Sequence, residues 1–381
     1  MSDLSLQLQQ AASQLPVSSY FDQTQFAREM DLIFQRGPRY LGHELGVPEV
    51  GDYYALPQEG EGRALLRTPH GVELISNVCR HRQAVMLRGS GSLAGASATG
   101  GNIVCPLHRW TYSAGQGGKA GTLLGAPHFA TDPCLNLNNY AVQNWNGLVF
   151  EANGYDVAGA LAKLGPKADL DFSGYVRDRV QLHEVDYNWK TFIEVYLEDY
   201  HVGPFHPGLG NFVTCEDLRW EFGTEYSVQT VGVAGKLGKA GSDVYRKWHD
   251  EVLRFGGGRA PKHGAIWLTL YPNVMIEWYP HALVVSTLYP KGPQKTLNVV
   301  EFFYPEEITA FEREFVEAQQ AAYMETCVED DEIALRMDAG RLALMERGDN
   351  EVGPYQSPME DGMQHFHEWY RGVLGAHVPS R

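Results

Sequence analysis

The chain has 381 residues, with 31 Lys and Arg against 47 Asp and Glu and a formal net charge of -16. The length suits two or three domain-sized units rather than one small module, and the acidic balance argues against a nucleic-acid partner, which calls for a basic face. The five cysteines are an odd count without disulfide-like pairing, which suits a reducing cytoplasm, and no basic leader or long apolar run reads as a signal peptide or a membrane span.

Residues 1–38 begin polar, with Gln7, Gln9 and Gln10. Phe26, Met30, Ile33 and Phe34 then fall at helical spacing and predict a helix laid on the body of the protein, ended by Gly37-Pro38. Across residues 39–155 short strand patterns (Tyr53–Leu56, Ala64–Arg67, Val72–Ile75, Asn102–Val104, Leu148–Phe150) alternate with Gly, Pro, Asn and Asp. They predict a small antiparallel β domain with function-bearing hairpin tips. Inside this stretch lie Cys79-Arg80-His81 and Cys105-Pro106-Leu107-His108, two short pairs that each join one thiol to one imidazole. Two Cys and two His are the ligands of a Rieske [2Fe–2S] centre, in which the thiolates hold one iron and the imidazoles the other. A structural zinc site is the rival reading, but zinc fingers group like ligands together, and here each pair mixes them.

Residues 156–381 form the remaining unit. Gly154–Gly174 reads as a connector, Val180–Val185 as a strand, and Trp189, Phe192, Ile193, Tyr196, Leu197 and Tyr200 as one helix running to Gly203-Pro204. That helix ends in Glu198-Asp199-Tyr200-His201-Val202-Gly203-Pro204-Phe205-His206. Two His at this spacing do not share a face of an ideal helix, so the break at Gly203-Pro204 must bring them together. Two His plus one carboxylate, with other positions open, is the facial triad of non-haem Fe(II) oxygenases. Gly232–Gly241 lacks the spacing and the Ser/Thr of a phosphate-binding loop and reads as a surface loop. Strand patterns resume at Ala265–Tyr271, Val274–Trp278, Leu283–Leu288 and Leu297–Phe303, followed by a helical run from Glu306 to Gly340 with Phe311, Phe315, Ala318 and Ala322 as its stripe. A last helix carries Met363, Phe366, Trp369, Tyr370 and Val373; His365 and His367, on different faces of it, read as structural.

Beyond the ligands, Cys79-Arg80-His81-Arg82 and Cys105-Pro106-Leu107-His108-Arg109-Trp110-Thr111-Tyr112 resemble the two Rieske loops, C-x-H-R and C-P-x-H-G-W-x-[FY]. Gln83 and Arg109 stand where that family has Gly. Glu198, His201 and His206 match the pattern [DE]-x-x-H-x4-H of the Rieske non-haem iron oxygenases, and Cys327-Val328-Glu329-Asp330-Asp331-Glu332-Ile333 resembles their late acidic helix. Placing Ile333 on the family's apolar position selects Asp330 as third ligand, with Asp331 as the alternative.

The resemblance covers almost the whole chain and implies an α+β fold: a small antiparallel β Rieske domain and a START-like helix-grip domain with a curved antiparallel sheet. It implies a terminal oxygenase α subunit with a [2Fe–2S] cluster at Cys79, His81, Cys105 and His108 and mononuclear Fe(II) at His201, His206 and Asp330. Glu198 would join His201 to His108 of a neighbouring subunit in a homotrimer, and Asp199 would face solvent. No dinucleotide-binding glycine fingerprint is present, so NAD(P)H electrons would come through a separate flavin/iron-sulfur reductase or ferredoxin. The expected substrate is a small aromatic or quaternary ammonium compound, hydroxylated or oxidatively demethylated with O2. Glu at position 198 resembles the quaternary ammonium branch, and Trp267, Tyr271 and Trp278 are candidates for a cation cage or for plain strand packing. The alternatives are an electron carrier with the cluster alone and a zinc-bearing interaction protein. The expected location is cytoplasmic, with neither nucleic acid nor membrane as partner.

Overall fold

A computed structural model describes residues 14–95, 99–349 and 351–375; the polar start with Gln7, Gln9 and Gln10 lies outside them. Two compact units emerge: Pro38–Tyr155, and the stretch up to Gly37 together with Asp156–Arg381. Among the described residues no helix is long and apolar enough to cross a membrane.

The unit Pro38–Tyr155 is built from eleven short strands: β1 (Tyr40–His43), β2 (Asp52–Ala55), β3 (Arg63–Thr68), β4 (Gly71–Ser76), β5 (Ser90–Ser92), β6 (Ile103–Val104), β7 (Thr111–Tyr112), β8 (Leu123–Gly125), β9 (Asn139–Tyr140), β10 (Val142–Trp145) and β11 (Leu148–Glu151). They form sheets ordered β5-β2-β3-β4-β9, β1-β11-β10 and β6-β7-β8, and every pairing is antiparallel. One core, with Leu66, Ile75, Ile103, Trp110 and Tyr112, also buries Cys79 and Cys105. The cysteines are therefore set in the domain's interior, at the roots of the loops that follow β4 and β6.

The second unit opens with α1 (Gln23–Glu29), capped by Asp22, whose carboxylate accepts from the Gln25 N–H at 2.7 Å. A wider turn carries it on to Phe34, and the Gly37 N–H closes on the Ile33 carbonyl. After a one-turn helix, α2 (Val157–Ala160), strand β12 (Tyr175–Val185) leads to α3 (Trp189–Tyr196) and the short α4 (Val202–Phe205). Then come β13 (Val213–Phe222), β14 (Tyr226–Val233), α5 (Asp243–Phe255), β15 (Ala265–Leu270), β16 (Val274–Tyr279), β17 (Ala282–Gly292) and β18 (Lys295–Pro305). The seven strands make one antiparallel sheet in the order β12-β18-β17-β16-β15-β14-β13. The chain ends in α6 (Glu306–Phe311), the 35-residue α7 (Arg313–Arg347) and α8 (Asp361–Leu374). Phe315, Val316, Ala322 and Tyr323 of α7 share a core with Trp267, Val284, Val300 and Phe302, so the long helix is packed on the sheet by its own apolar side chains.

Several elements differ from the sequence reading. The helix begun at Asn188 stops at Tyr196, because the Leu197 carbonyl is taken by the Met363 N–H and the Asp199 N–H by the Met359 carbonyl. The segment before α8 thus pulls the chain out of the helix before Gly203-Pro204 is reached. Pro204 lies inside α4, in a first turn where its missing N–H is unneeded. Phe311 is 84% exposed, since the chain breaks at Glu312 and α7 starts in a new phase. Helix α5, with buried Tyr245, Trp248, His249 and Val252 at helical period behind a Ser242 cap, and strands β13 and β14 lie outside the elements that the sequence patterns predict.

Candidate metal centres

The first candidate site stands on two loops with the same backbone design. The Cys79 N–H bonds to the Ala84 carbonyl and the Gln83 N–H to the Cys79 carbonyl; the Cys105 N–H bonds to the Trp110 carbonyl and the Arg109 N–H to the Cys105 carbonyl. Gln83 and Arg109 occupy equivalent places and both are left-handed, with φ of 52° and 61°. Glycine adopts that conformation freely and a side chain at some cost. The two departures from the Rieske pattern are therefore substitutions at strained, matching positions. Cys79 and Cys105 are 1% and 2% exposed, while Arg109 and the imidazole of His108 sit at an exposed tip. The His81 and His108 rings stand 4.7 Å apart, and His81 stacks on Trp110 at 5.1 Å. His81 Nδ1 is buried without a hydrogen-bond partner. Burial pushes the Cys105 thiol up in pKa, while backbone N–H groups of Leu107 and His108 draw it down. The Tyr112 hydroxyl lies 3.5 Å from the Cys79 sulfur. An orphaned imidazole nitrogen beside two buried thiols fits a cluster that takes two imidazoles and two thiolates.

The second site gathers on α3, α4 and α7. His201 caps α4 at one end and His206 at the other, which sets their rings 4.9 Å apart. From α7, Asp330 brings Oδ1 to 2.9 Å from His206 Nε2 and 3.4 Å from His201 Nε2. One ligand atom from each of the three lies within 4.8 Å of the others. His206 Nε2 and Asp330 Oδ1 are buried, yet neither makes a hydrogen bond. Two imidazole nitrogens that converge on one buried carboxylate oxygen fit a shared cation, and the two His and one carboxylate are the set a non-haem iron takes.

The outer nitrogens of both imidazoles are held by carboxylates, the arrangement that fixes a ligand's tautomer and aim. Glu198 accepts at His201 Nδ1 and also receives the His201 N–H at 3.1 Å. Glu329 lies 2.7 Å from His206 Nδ1. Successive residues of α7 point about 100° apart, so three adjacent acids serve three places: Glu329 on His206, Asp330 at the centre, and Asp331 on His183 Nε2 (2.8 Å) and the Tyr187 hydroxyl (2.7 Å). Burial alone would lower the pKa of His201, but the Asp330 and Glu198 carboxylates outweigh it and lift it to about 10. The local field therefore favours positive charge, whether proton or metal ion.

Asp199 does not face solvent as expected. It is 2% exposed and receives the Gln229 amide, and burial pushes its pKa up to about 7. Of the three aromatic candidates, Trp267 lines the cavity beside the second site; Tyr271 bonds His365 in a different core cluster, and Trp278 packs beside His263. His367 bonds Tyr355 and buried Glu194, and neither it nor His365 lines the cavity. Sequence reasoning missed Glu329, hidden among its acidic neighbours, and Glu277. The signal for Glu277 was a lone acid in the strand Val274-Met275-Ile276-Glu277-Trp278-Tyr279, where a buried strand carries apolar residues.

The cavity has a free volume of about 80 Å³. Its lining includes His201, His206, Asp330, Glu198, Asp199 and Glu277 together with Tyr196, Trp267, Tyr279 and Tyr323, and among the described residues no Lys or Arg lines it. A benzene-binding cavity is about 150 Å³, so this conformation suits a slender chain better than fused rings.

The pattern of the ring hydroxylating alpha subunit catalytic domain matches residues 172–376, and that of the Rieske [2Fe–2S] domain matches residues 41–136. Putrescine 2-hydroxylase of Ralstonia nicotianae is 65% identical over 98% of this chain and 100% of its own length. The enzyme of that name from Bordetella bronchiseptica is 62% identical, over 96% of this chain and 85% of its own. Among solved structures, a quaternary ammonium Rieske monooxygenase in complex with L-carnitine superposes with a TM-score of 0.73 at 19% identity, covering 96% of both chains. Naphthalene 1,2-dioxygenase of a Rhodococcus species gives 0.67 at 20% identity, over 96% of this chain and 95% of its own. These likenesses set aside the zinc-protein and simple electron-carrier readings. The chain belongs to the Rieske non-haem iron oxygenases as an α subunit of the ring-hydroxylating family, a terminal oxygenase that uses a [2Fe–2S] cluster and a mononuclear iron to hydroxylate a small substrate.

Proposed function

We propose that this oxygenase hydroxylates putrescine, or a closely similar aliphatic diamine, at a carbon next to an amine-bearing one. The observation that carries the reading is the cavity: it joins acidic and aromatic walls to the His201–His206–Asp330 group, and no Lys or Arg among the described residues lines it. Such a chamber suits a narrow cation. The 65% identity to a putrescine 2-hydroxylase over nearly the whole chain points the same way. The aromatic and quaternary ammonium classes suggested by the motifs give way to a primary diamine. The chain Pro38–Tyr155 would hold the cluster at Cys79, His81, Cys105 and His108, and His201, His206 and Asp330 would hold the iron.

Bound there, the two metals would supply electron storage and O2 activation. Overall, a substrate C–H, O2, two electrons and two protons become C–OH and water, with the electrons from reduced nicotinamide through a flavin/iron-sulfur reductase or ferredoxin. The chain's own residues do the rest. Glu198 and Glu329 hold the outer nitrogens of His201 and His206, so both imidazoles keep one tautomer and one direction. In a homotrimer Glu198 would also reach His108 of the neighbouring subunit and form the path for electrons; a solved relative at 19% identity is described in terms of inter-subunit electron transfer. The apolar wall of Phe192, Val195, Leu209 and Phe212 keeps bulk water from the substrate.

The test is putrescine-dependent O2 uptake by the purified protein with a reductase, with mass analysis of the product. Uptake with gain of one oxygen atom is expected. Uptake with choline or L-carnitine and none with putrescine would overturn the reading.

A further inference from the structure

Glu277 is the most demanding residue in the cavity. It lies mid-strand in β16, paired with Trp267 on one side and Val284 on the other, and is fully buried. Among the described residues no Lys or Arg pairs with it. Its carboxylate accepts hydrogen bonds from the Tyr279 hydroxyl at 2.7 Å and the Tyr323 hydroxyl at 2.9 Å. The direction of the first bond is fixed. Trp267 Nε1 can only donate, and it donates to the Tyr279 oxygen at 3.0 Å, so the tyrosine proton is turned toward Glu277. The site is therefore built to face an acceptor. A carboxylate offers about four acceptor positions, and two are used. The Tyr196 hydroxyl is buried in the same wall within reach of Glu277, with no other hydrogen-bond partner. A buried carboxylate without a counter-charge is costly and persists only where something repays it.

We propose that Glu277, ringed by Tyr196, Tyr279, Tyr323 and Trp267, is the anchor for one ammonium group of the substrate and so determines specificity for a primary amine. The inference rests on the diamine reading and deepens it. A primary ammonium carries N–H donors for the free carboxylate positions and for the Tyr196 oxygen, inside an aromatic wall. A quaternary ammonium would satisfy the charge and leave the remaining acceptor positions of the carboxylate without donors, so the site discriminates against it. Anchoring one end of a flexible chain also fixes which carbon reaches the His201–His206–Asp330 group.

The test compares wild type with E277Q and E277D, each first shown to have wild-type iron content and cluster absorption. Binding of putrescine, 1-aminobutane and choline is followed by calorimetry, and turnover by KM, kcat and the position of the hydroxyl in the product. In wild type, putrescine and 1-aminobutane bind at least tenfold more tightly than choline. E277Q weakens putrescine binding by about 10–100-fold, the loss of a charge-assisted hydrogen bond, raises KM more than it lowers kcat, and scatters the hydroxylation position; E277D recovers part of the affinity. If E277Q binds putrescine within threefold of wild type, the anchor is wrong even though putrescine is the substrate. If wild type binds none of the amines, the diamine reading and the anchor fall together.

Discussion

The acid residues of this chain are distinguished by neighbours, not by type. Asp330 and Asp331 are adjacent, yet one meets two imidazole nitrogens of His201 and His206 and the other the side chains of His183 and Tyr187. Asp330→Asn is expected to lower iron from about three atoms per chain to about two, with the cluster spectrum intact. Asp331→Asn should keep the iron and lose on the order of 1 kcal/mol of stability from the half-buried contacts to His183 and Tyr187, read by urea denaturation. Retained mononuclear iron in Asp330→Asn would reverse the ligand assignment. For Glu277, burial pushes the carboxyl up to about 7. A folded pKa above the unfolded value of 4.5 means that the fold favours the neutral acid, so its contribution to stability falls as pH rises from about 4.5 to about 7 and then levels off. The groups that bear on it are Tyr196, Tyr279, Tyr323 and the charge of Asp330, and Asp199 titrates in the same window. Thermal melts without amine from pH 5 to pH 8 should therefore decline, and E277Q should flatten the decline without abolishing it, since the Asp199 share remains. An unchanged slope in E277Q would show that Glu277 does not ionise in this range.

Elements carry their own consequences. The paired loops at Cys79 and Cys105 place Gln83 and Arg109 in the left-handed region. Gln83→Gly and Arg109→Gly each relieve that strain and lose some chain entropy, for a net stabilisation on the order of 0.5–1 kcal/mol in denaturant unfolding. A loss of stability in either variant would mean that the side chain makes a compensating contact. Helix α3 is tied to α1 by a pair with no exposure at all: Lys190 Nζ lies 2.8 Å from Glu29 Oε1, and Trp189 Nε1 donates to Glu29 Oε2 at 2.8 Å. Lys190→Met alone leaves a buried unpaired acid and should cost about 3–5 kcal/mol, while Lys190→Met with Glu29→Gln should recover much of it. Urea midpoints of the two variants check this. Equal losses in both would show that packing, and not charge, holds the contact. Because α3 leads straight into Glu198 and His201, loosening it should also lower iron retention.

At the scale of the whole molecule, the expected stoichiometry is about three irons and two sulfides per chain, and removal of the iron by chelation should abolish oxygen uptake while the cluster spectrum persists. Much of this was legible in the residues. The mixed Cys/His pairs, the Glu198–His201–His206 spacing and the strand and helix periods are local patterns, and chemistry restricts which metals accept such ligands. Three matters lay beyond sequence reasoning. Asp199 and Asp331 look like any solvated acids until Gln229, His183 and Tyr187 arrive from distant segments. Helix α3 ends where it does because a segment more than 150 residues later takes its carbonyl. Glu277 gains its meaning only when β15, α3 and α7 surround it with Trp267, Tyr196 and Tyr323. The sequence by itself determined which atoms can bind metal, since ligand type and short spacing are written in neighbouring positions. Only the tertiary structure decided which acid meets both imidazoles, which hold their outer nitrogens and which lies in the cavity without a counter-charge, because burial and pairing depend on what the fold brings from far along the chain.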